Sequence, residues 1–179
     1  MILDSDREGN SGLTPGEEGD PLPSGEWVIR VAKTTKYGFS AHQSAFEVSS
    51  KDKEAVVPRL SVWAEKLTTD DQAWRLTGSR ADNDAIRRLN VDAIRSLIPT
   101  PRDPPPPHLD VEWEPLMVDM PGSGLVPDPR SGAIGHAGIR HLRVGTKEQY
   151  KSLRIQLAEM TEVRLLPEDL IQDGVTATD

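Results

Sequence analysis

The sequence of 179 residues contains no cysteine. This absence excludes disulfides, thiolate metal sites and cysteine nucleophiles, and it fits a reducing compartment. No apolar run approaches the roughly 20 residues that are needed to cross a bilayer. The first ten residues, MILDSDREGN, show no signal-peptide pattern. We therefore expect a cytoplasmic chain that does not associate with membranes.

Positive charge is also scarce. The chain has 21 Lys and Arg against 29 Asp and Glu, which gives a net charge of -8 and an isoelectric point of about 5.0. A nucleic-acid binder needs a basic footprint, so the overall charge argues against this class. One arginine-rich segment keeps a nucleic-acid accessory factor as an alternative, although a solvated helix face is the simpler interpretation. Its arginines are Arg75, Arg80, Arg87, Arg88, Arg95 and Arg102.

Glycine and proline are abundant and clustered, and the clusters divide the chain. Residues 1–24 combine them with acidic side chains, a composition that predicts a disordered tail. PTPRDPPPP at 99–107 predicts a polyproline II linker, with a ligand for an SH3- or WW-like domain as the alternative. The linker separates an N-terminal and a C-terminal part of the α+β fold, 25–98 and 108–166, and whether the two halves form one domain or two is left open. Residues 167–179 are expected to be a flexible tail.

The alternation of apolar and polar residues predicts a largely antiparallel sheet of four to six strands. The first two runs are expected to form a hairpin. About three helices should cover one face of this sheet, near Thr69, Asn83 and Thr146, so the fold class is α+β. The candidate strands are residues 27–32, 37–48, 56–67, 108–116, 139–144 and 163–166.

Capping patterns mark two of the helices. Thr69 with Gln72, and Thr146 with Gln149, have the spacing of a capping box. The helix after Thr146 carries an apolar stripe and is expected to be a core element. Residues 83–98 are predicted to form one helix; the alternative is a strand over 86–91 followed by a helix that Asp92 caps.

The side chains on one predicted strand give a weak signal for a metal site. His108, Asp110 and Glu112 share a face of residues 108–116, and His136 or His141 would complete a set of imidazole and carboxylate ligands. The competing interpretation is a solvated acidic strand face, so we expect no cofactor. A metal-dependent hydrolase that uses these residues is kept as an alternative function.

No other constellation predicts catalysis. The glycine-rich loop at 121–138 lacks a phosphate-binding motif. The chain contains Ser, His and Asp residues that could be combined into a catalytic triad, but no nucleophile-elbow motif supports any combination. The members of such a triad would be Ser123 or Ser131, His136 or His141, and Asp119 or Asp128. We therefore assign no catalytic residue.

Tryptophan and arginine are the residue types enriched at binding hot spots. Trp63 alternates with core positions on a predicted strand, so it lies either on an exposed polar face or in the core. We favour a non-catalytic protein-interaction module, such as an accessory, inhibitory or immunity-type subunit, with a basic protein partner. The oligomeric state is left open. The candidate interaction residues are Arg59, Trp63, Trp74, Arg87 and Arg88.

Overall fold

A computed structural model describes residues 12–33, 43–48, 55–78, 84–99, 105–143 and 145–165. The strands are β1 Trp27–Lys33, β2 Arg59–Ala64, β3 Asp84–Asn90, β4 Asp110–Trp113, β5 Met117–Met120, β6 Gly124–Pro127, β7 His136–Arg140 and β8 Glu162–Leu165. The helices are α1 Asp70–Leu76, α2 Val91–Ser96 and α3 Lys147–Met160, with 3-10 turns at Gln43–Phe46 and Ala133–Gly135. The predicted tail at 167–179 and most of the proline linker lie outside the described residues.

Six of the strands form one sheet in the order β4-β7-β2-β1-β3-β8, and every neighbouring pair is antiparallel. The part of the chain before the prolines supplies β1, β2 and β3, and the part after them supplies β4, β7 and β8. The predicted α+β class and the four to six antiparallel strands are therefore confirmed. No helix in the described ranges is long and apolar enough to span a bilayer.

One face of the sheet carries the main apolar core. Val28, Val62, Ile139 and Val111 point to this face from four adjacent strands. Because Leu153 and Leu157 of α3 are buried against them, the helix after Thr146 is a core element, as predicted. Its capping box is also confirmed: the Gln149 amide donates to the Thr146 hydroxyl at 3.2 Å, and the Gln149 side chain accepts from the Thr146 amide at 2.9 Å. Helix α2 packs on this same face through Val91 and Ile94.

The opposite face carries a smaller, aromatic core beneath α1. Trp74 of α1 packs with Trp63 of β2, Ile29 of β1 and Ile86 of β3. The predicted capping box of Thr69 and Gln72 begins this helix, and Gly78 follows its end with a left-handed φ of 63°. The helices thus cover both faces of the sheet rather than one.

The prediction of one helix over 83–98 is wrong. This segment is β3 followed by the short helix α2, close to the alternative, and Asn90 rather than Asp92 caps the helix by accepting from the Ala93 amide at 3.1 Å. The reason is tertiary pairing: β3 aligns with all seven residues of β1. Ile86 and Leu89, which a helix would place on one stripe, lie on opposite faces of the strand, and both are buried.

The predicted hairpin between 27–32 and 37–48 is also wrong where the structure describes it. Gln43–Phe46 is a 3-10 turn, because both edges of β1 are already paired, with β2 and with β3. Phe46 and Val48 join the core from this turn. The Val48 amide donates to the Tyr150 hydroxyl of α3 at 3.1 Å. Residues 37–42 lie outside the described residues.

The N-terminal segment 12–24 is a further correction, because it is packed rather than part of a disordered tail. It runs beside β4, where the Leu22 amide donates to the Val111 carbonyl and the Trp113 amide donates to the Asp20 carbonyl, both at 2.8 Å. Leu13 and Leu22 are buried in the core. β4 is the end strand of the sheet, so this segment covers an edge that would otherwise expose unpaired backbone groups. Residues 1–11 lie outside the described residues.

Candidate functional site

The carboxylates of the predicted metal site are paired with arginines. The Asp110 carboxylate accepts from Arg95 at 2.7 Å. The Glu112 carboxylate is buried between two guanidinium groups, those of Arg59 at 3.2 Å and Arg140 at 2.8 Å. These ion pairs explain the acidic strand face, which is a buried charge network at Glu112 rather than a solvated surface.

The three histidines of the predicted site do not converge with those carboxylates. His141 Nδ1 lies 2.8 Å from the backbone carbonyl oxygen of His108. His136 instead makes its side-chain contacts on β2 and at the end of β4. Among the described residues, no group of three or more His, Asp and Glu side chains is placed to hold a metal ion.

The five predicted interaction residues are mostly inside the molecule. Arg59, Trp63, Trp74 and Arg87 are all buried, and burial lowers the pKa of the Arg87 guanidinium. Arg88 is half-buried. These side chains offer little exposed area to a partner: Trp63 and Trp74 pack in the aromatic core, Arg59 is held by carboxylates, and Arg87 lies on the opposite face of the sheet.

The arginine-rich segment does not form a free basic surface where it is described. Arg75 pairs with Asp71 at 3.0 Å, Arg88 with Glu65 at 2.8 Å and Arg95 with Asp110 at 2.7 Å. The guanidinium of Arg88 also stacks 3.9 Å from the centre of the Trp27 ring. Arg80 and Arg102 lie outside the described residues. This intramolecular pairing does not favour nucleic-acid binding.

The charged cluster around Glu112 depends on a glycine. Arg59 of β2 reaches Glu112 of β4 by crossing β7 at Gly138, which pairs with both neighbouring strands. A Cβ at Gly138 would lie 2.5 Å from the Arg59 Cβ and 2.9 Å from Glu114 Oε2. Because those distances are too short for a side chain, Gly138 supplies the space through which Arg59 reaches the carboxylates. We call Arg59, Glu112, Glu114 and Arg140 the charged cluster.

The N-terminal segment adds a further acid to this cluster. Glu18 Oε1 lies 3.3 Å from Arg59 Nη1, and Glu114 Oε1 lies 3.7 Å from the same nitrogen. Arg59 is therefore surrounded by three carboxylates from two parts of the chain. Glu18 is largely exposed, whereas Glu112 is buried, so the cluster extends from the interior to the surface.

Ser61 and His136 form a second polar pair beside the charged cluster. Ser61 Oγ lies 2.6 Å from His136 Nε2, and His136 Nδ1 lies 2.6 Å from the Glu114 backbone carbonyl oxygen. A carbonyl oxygen can only accept, so in the neutral ring Nδ1 carries the proton and Nε2 accepts from the Ser61 hydroxyl. The Glu114 carboxylate lies 3.8 Å from Nδ1. This is the tautomer that a general base acting on a hydroxyl requires.

The sheet register fixes this pair. β2 and β7 align Ser61 with Gly138 and Trp63 with His136, so the three side chains Ser61, Trp63 and His136 share one face. The Trp63 and His136 rings meet edge to face, with their centres 4.7 Å apart. The carbonyl of Ser61 accepts from Arg30 at 2.6 Å. Packing and backbone bonds therefore hold both partners in place.

A cleft of about 540 Å³ opens over this pair. Apolar side chains form much of its wall, and Arg130 provides a cation. A second cleft of about 410 Å³, between α1 and the segment that holds Ser131, shares Leu76 and Arg130 with the first. The first cleft is lined by Ser61, Trp63, Leu76, Thr77, Glu114, Pro115, Leu116, Met117, Arg130 and His136.

The sequence gives little indication of this pair. The candidate triads from the sequence use Ser123 or Ser131. Ser123 is an exposed residue in the turn of a hairpin. The Ser131 hydroxyl accepts from Gln72 at 2.6 Å. Ser61 and His136 are 75 positions apart, and their contact follows from the pairing of β2 with β7. The relevant feature of the sequence is that Ser61 lies at one of the polar positions that alternate with apolar residues in a predicted strand.

The wall of the cleft continues into a hairpin formed by β5 and β6. The sequence predicted no strands here, only a glycine-rich loop at 121–138. Its four cross-strand pairs run from Met117 with Pro127 to Met120 with Gly124. It forms a two-stranded sheet separate from the main one. At its base the Asp128 amide donates to the Leu116 carbonyl at 2.8 Å.

An ion pair fixes the chain immediately after the hairpin. The Asp128 carboxylate accepts from the Arg130 amide at 2.9 Å and from Arg130 Nη2 at 2.6 Å. Hydrogen bonds from Arg130 hold the pKa of Asp128 below its usual range. These bonds, together with that from Asp128 to Leu116, hold the base of the hairpin, whose strands form a sheet separate from the main one.

The chain matches no family model, no curated protein and no solved structure.

Proposed function

We propose that this chain is a protein-binding module that docks an extended, basic segment of a partner on the hairpin of β5 and β6. The observation that carries the proposal is the exposure of large apolar side chains on this hairpin. Met117 is 48% exposed, Met120 45% and Leu125 70%. Contiguous exposed apolar side chains mark interaction sites in proteins that are otherwise soluble.

The cross-strand register places these side chains on defined faces. Met117, Asp119, Leu125 and Pro127 share one face, and all four are exposed. We call this set the outer face of the hairpin. The other face carries Val118 and Val126, which are half-buried, and Met120, which is exposed at the tip of the hairpin. One side of the hairpin is therefore partly covered by its own molecule, and the outer face is available to a partner.

The hairpin also offers backbone hydrogen bonds. Within the described part of the chain, neither of its strands pairs with a third strand. An isolated two-stranded sheet is only marginally stable, and a partner strand that adds to an open edge both stabilises it and supplies alternate side chains to its faces. We infer that the partner binds as an extended strand.

The charge of the chain defines the chemistry of that strand. The net charge is -8, and Asp119 lies among the apolar residues of the outer face. A segment that alternates apolar residues with Lys or Arg complements both features, and the opposite overall charge speeds its association. Because the sequence lacks cysteine, we place this encounter in the cytosol, where an accessory or inhibitory subunit would act.

A displayed library of random 12-residue peptides tests the proposal. Peptides selected on the native chain should be rich in Lys or Arg alternating with apolar residues, and their association should slow as salt is added. Leu125→Asp should weaken the selected peptides at least about tenfold, the level expected for a central apolar contact.

Val56→Asp is the matched control, since Val56 is another fully exposed apolar residue, at 101% of its reference area, and lies away from the hairpin in sequence. It should leave peptide binding unchanged. If Leu125→Asp had no effect, or if both variants weakened binding equally, the hairpin would not be the docking element.

A further inference from the structure

We propose that Ser61 and His136 form a nucleophile and general-base pair that hydrolyses activated esters bound in the adjacent cleft. This inference goes beyond the proposed protein binding, because it concerns Ser61 and His136 of the main sheet; Met117 alone belongs both to the outer face of the hairpin and to the cleft. Its basis is the combination of three features: a short contact between hydroxyl and imidazole, a fixed tautomer, and an opening to solvent above them.

The hydrogen-bond chain has the polarity that such a pair requires. The Glu114 carbonyl oxygen accepts from His136 Nδ1 at 2.6 Å, which leaves Nε2 to accept the Ser61 hydroxyl proton across another 2.6 Å. When that proton moves, the imidazolium is stabilised by the Glu114 carboxylate, which lies 3.8 Å from Nδ1. Nucleophile, base and orienting group thus follow the geometric logic of a catalytic triad.

The surroundings hold the pair without sealing it. His136 is buried against Trp63, so its ring orientation is set by packing. Ser61 is only half-buried and lines the cleft. Gly138, opposite Ser61 in β7, has no side chain of its own, and the Arg59 side chain passes over it toward Glu112. A substrate in the cleft can therefore reach Oγ while the base stays fixed.

The cleft indicates the class of substrate. Leu76, Leu116 and Met117 give it an apolar wall that suits a short acyl chain, and Arg130 places a cation at its margin. That guanidinium is already paired with the Asp128 carboxylate at 2.6 Å, so the apolar wall is the feature that selects the substrate. An ester of a small apolar acid with a good leaving group fits these features.

The reaction balances with water as the second reactant. Ser61 Oγ attacks the acyl carbon and gives its proton to His136 Nε2, and the bond from the acyl carbon to the leaving oxygen breaks. That oxygen takes the proton from His136 and departs as the alcohol. Water then gives a proton to His136 and attacks the acyl carbon. The bond from that carbon to Ser61 Oγ breaks, and Oγ takes the proton back from His136, which releases the acid and restores Ser61.

A fluorophosphonate probe tests the pair on the full folded chain. The probe should add to one serine, and peptide mapping by mass spectrometry should locate the adduct on Ser61. With 4-nitrophenyl butyrate, release of nitrophenol should show a burst of about one equivalent when deacylation is slow. Ser61→Ala should abolish both signals, and His136→Gln should slow labelling at least about 100-fold.

Ser123→Ala, in the turn between β5 and β6, is the control serine and should label like the native chain. Leu125→Asp should also keep its labelling, so that failure of the hairpin proposal is distinguishable from failure of this one. The mapped site in the native chain decides the question even if His136→Gln does not fold. An adduct elsewhere, equal labelling of the urea-unfolded chain, or no adduct would overturn the proposal.

Discussion

The two faces of the six-stranded sheet differ in chemistry although the same strands supply both. Toward α2 and α3 the strands present aliphatic side chains such as Val62, Ile139 and Val111. Toward the other face the same three strands, β2, β7 and β4, present Arg59, His136 and Glu112, all of them buried or nearly so. A chain selected for stability alone would not gain by burying these charges, since apolar side chains of similar size fill such a space at no loss.

The two faces also differ in how far helices cover them. Helices α2 and α3 pack on the aliphatic face, whereas α1 covers only the aromatic part of the other face, around Trp63. The charged cluster lies next to the cleft and shares Glu114 with it. We infer that the aliphatic face supports the fold and that the charged face positions the groups of the site. The following experiments test that division.

Removal of the buried acid should have the largest effect. Glu112→Leu removes the buried one of the three carboxylates around the Arg59 guanidinium, at 3.2 Å. Loss of one partner of a buried pair costs about 3 to 5 kcal/mol, and this is the upper bound here because Glu18 and Glu114 remain at 3.3 and 3.7 Å. Unfolding in urea, followed by circular dichroism, would measure the loss in free energy of unfolding.

The double variant Arg59→Met with Glu112→Leu is the sharper comparison. It replaces the pair with apolar side chains, so it should recover most of the stability that Glu112→Leu loses. The partner of Glu112 that remains, Arg140, is 38% exposed and can be solvated. If the double variant were as unstable as the sum of the two single variants, the charged cluster would be a source of stability and the proposed division of the faces would be wrong.

A cavity on the aliphatic face should come second. Leu153 of α3 is 1% exposed, and Leu153→Ala should lower the free energy of unfolding by about 2 to 5 kcal/mol through lost burial and the cavity that it leaves. Ile155 on the same helix is 37% exposed, so Ile155→Ala should change stability by less than about 1 kcal/mol. Similar losses for the two variants would show that α3 is not anchored by its apolar stripe.

The elements that the sequence predicted correctly are those whose signals are local. The two capping boxes and the apolar stripe of α3 each depend on residues within one or two turns, and the structure has them where expected. Alternation likewise located β1, β2 and β4. Such patterns do not require knowledge of which strand lies beside which.

The elements that were missed depend on pairing between distant segments. The apolar spacing in residues 84–90 is compatible with a helix. In the structure these residues instead form β3, which pairs with the second edge of β1. Residues 12–24 have a composition typical of disorder, yet three backbone hydrogen bonds to β4 and the burial of Leu22 hold them. The contact of Ser61 with His136 similarly follows from register. These features arise from tertiary context, which overrides local propensity.

The smallest predicted effect concerns Asp70, in the first turn of α1. Burial raises the pKa of Asp70 from 3.8 to about 6, and the positive charge of Arg88 opposes part of that rise. Since the folded state favours the protonated acid, its contribution to stability is complete below pH 3.8 and is lost as the pH rises through about 6.

Asp70→Asn removes this titration and therefore tests it. The variant should gain stability relative to the native chain between pH 4.5 and pH 7, by about 1 kcal/mol after allowance for the partial exposure of the side chain. Urea midpoints at the two pH values would measure the change, and the carboxyl carbon resonance of Asp70 would report its pKa directly. A titration midpoint near 4 would mean that this end of α1 is solvated, so that the covered aromatic patch would end before Asp70.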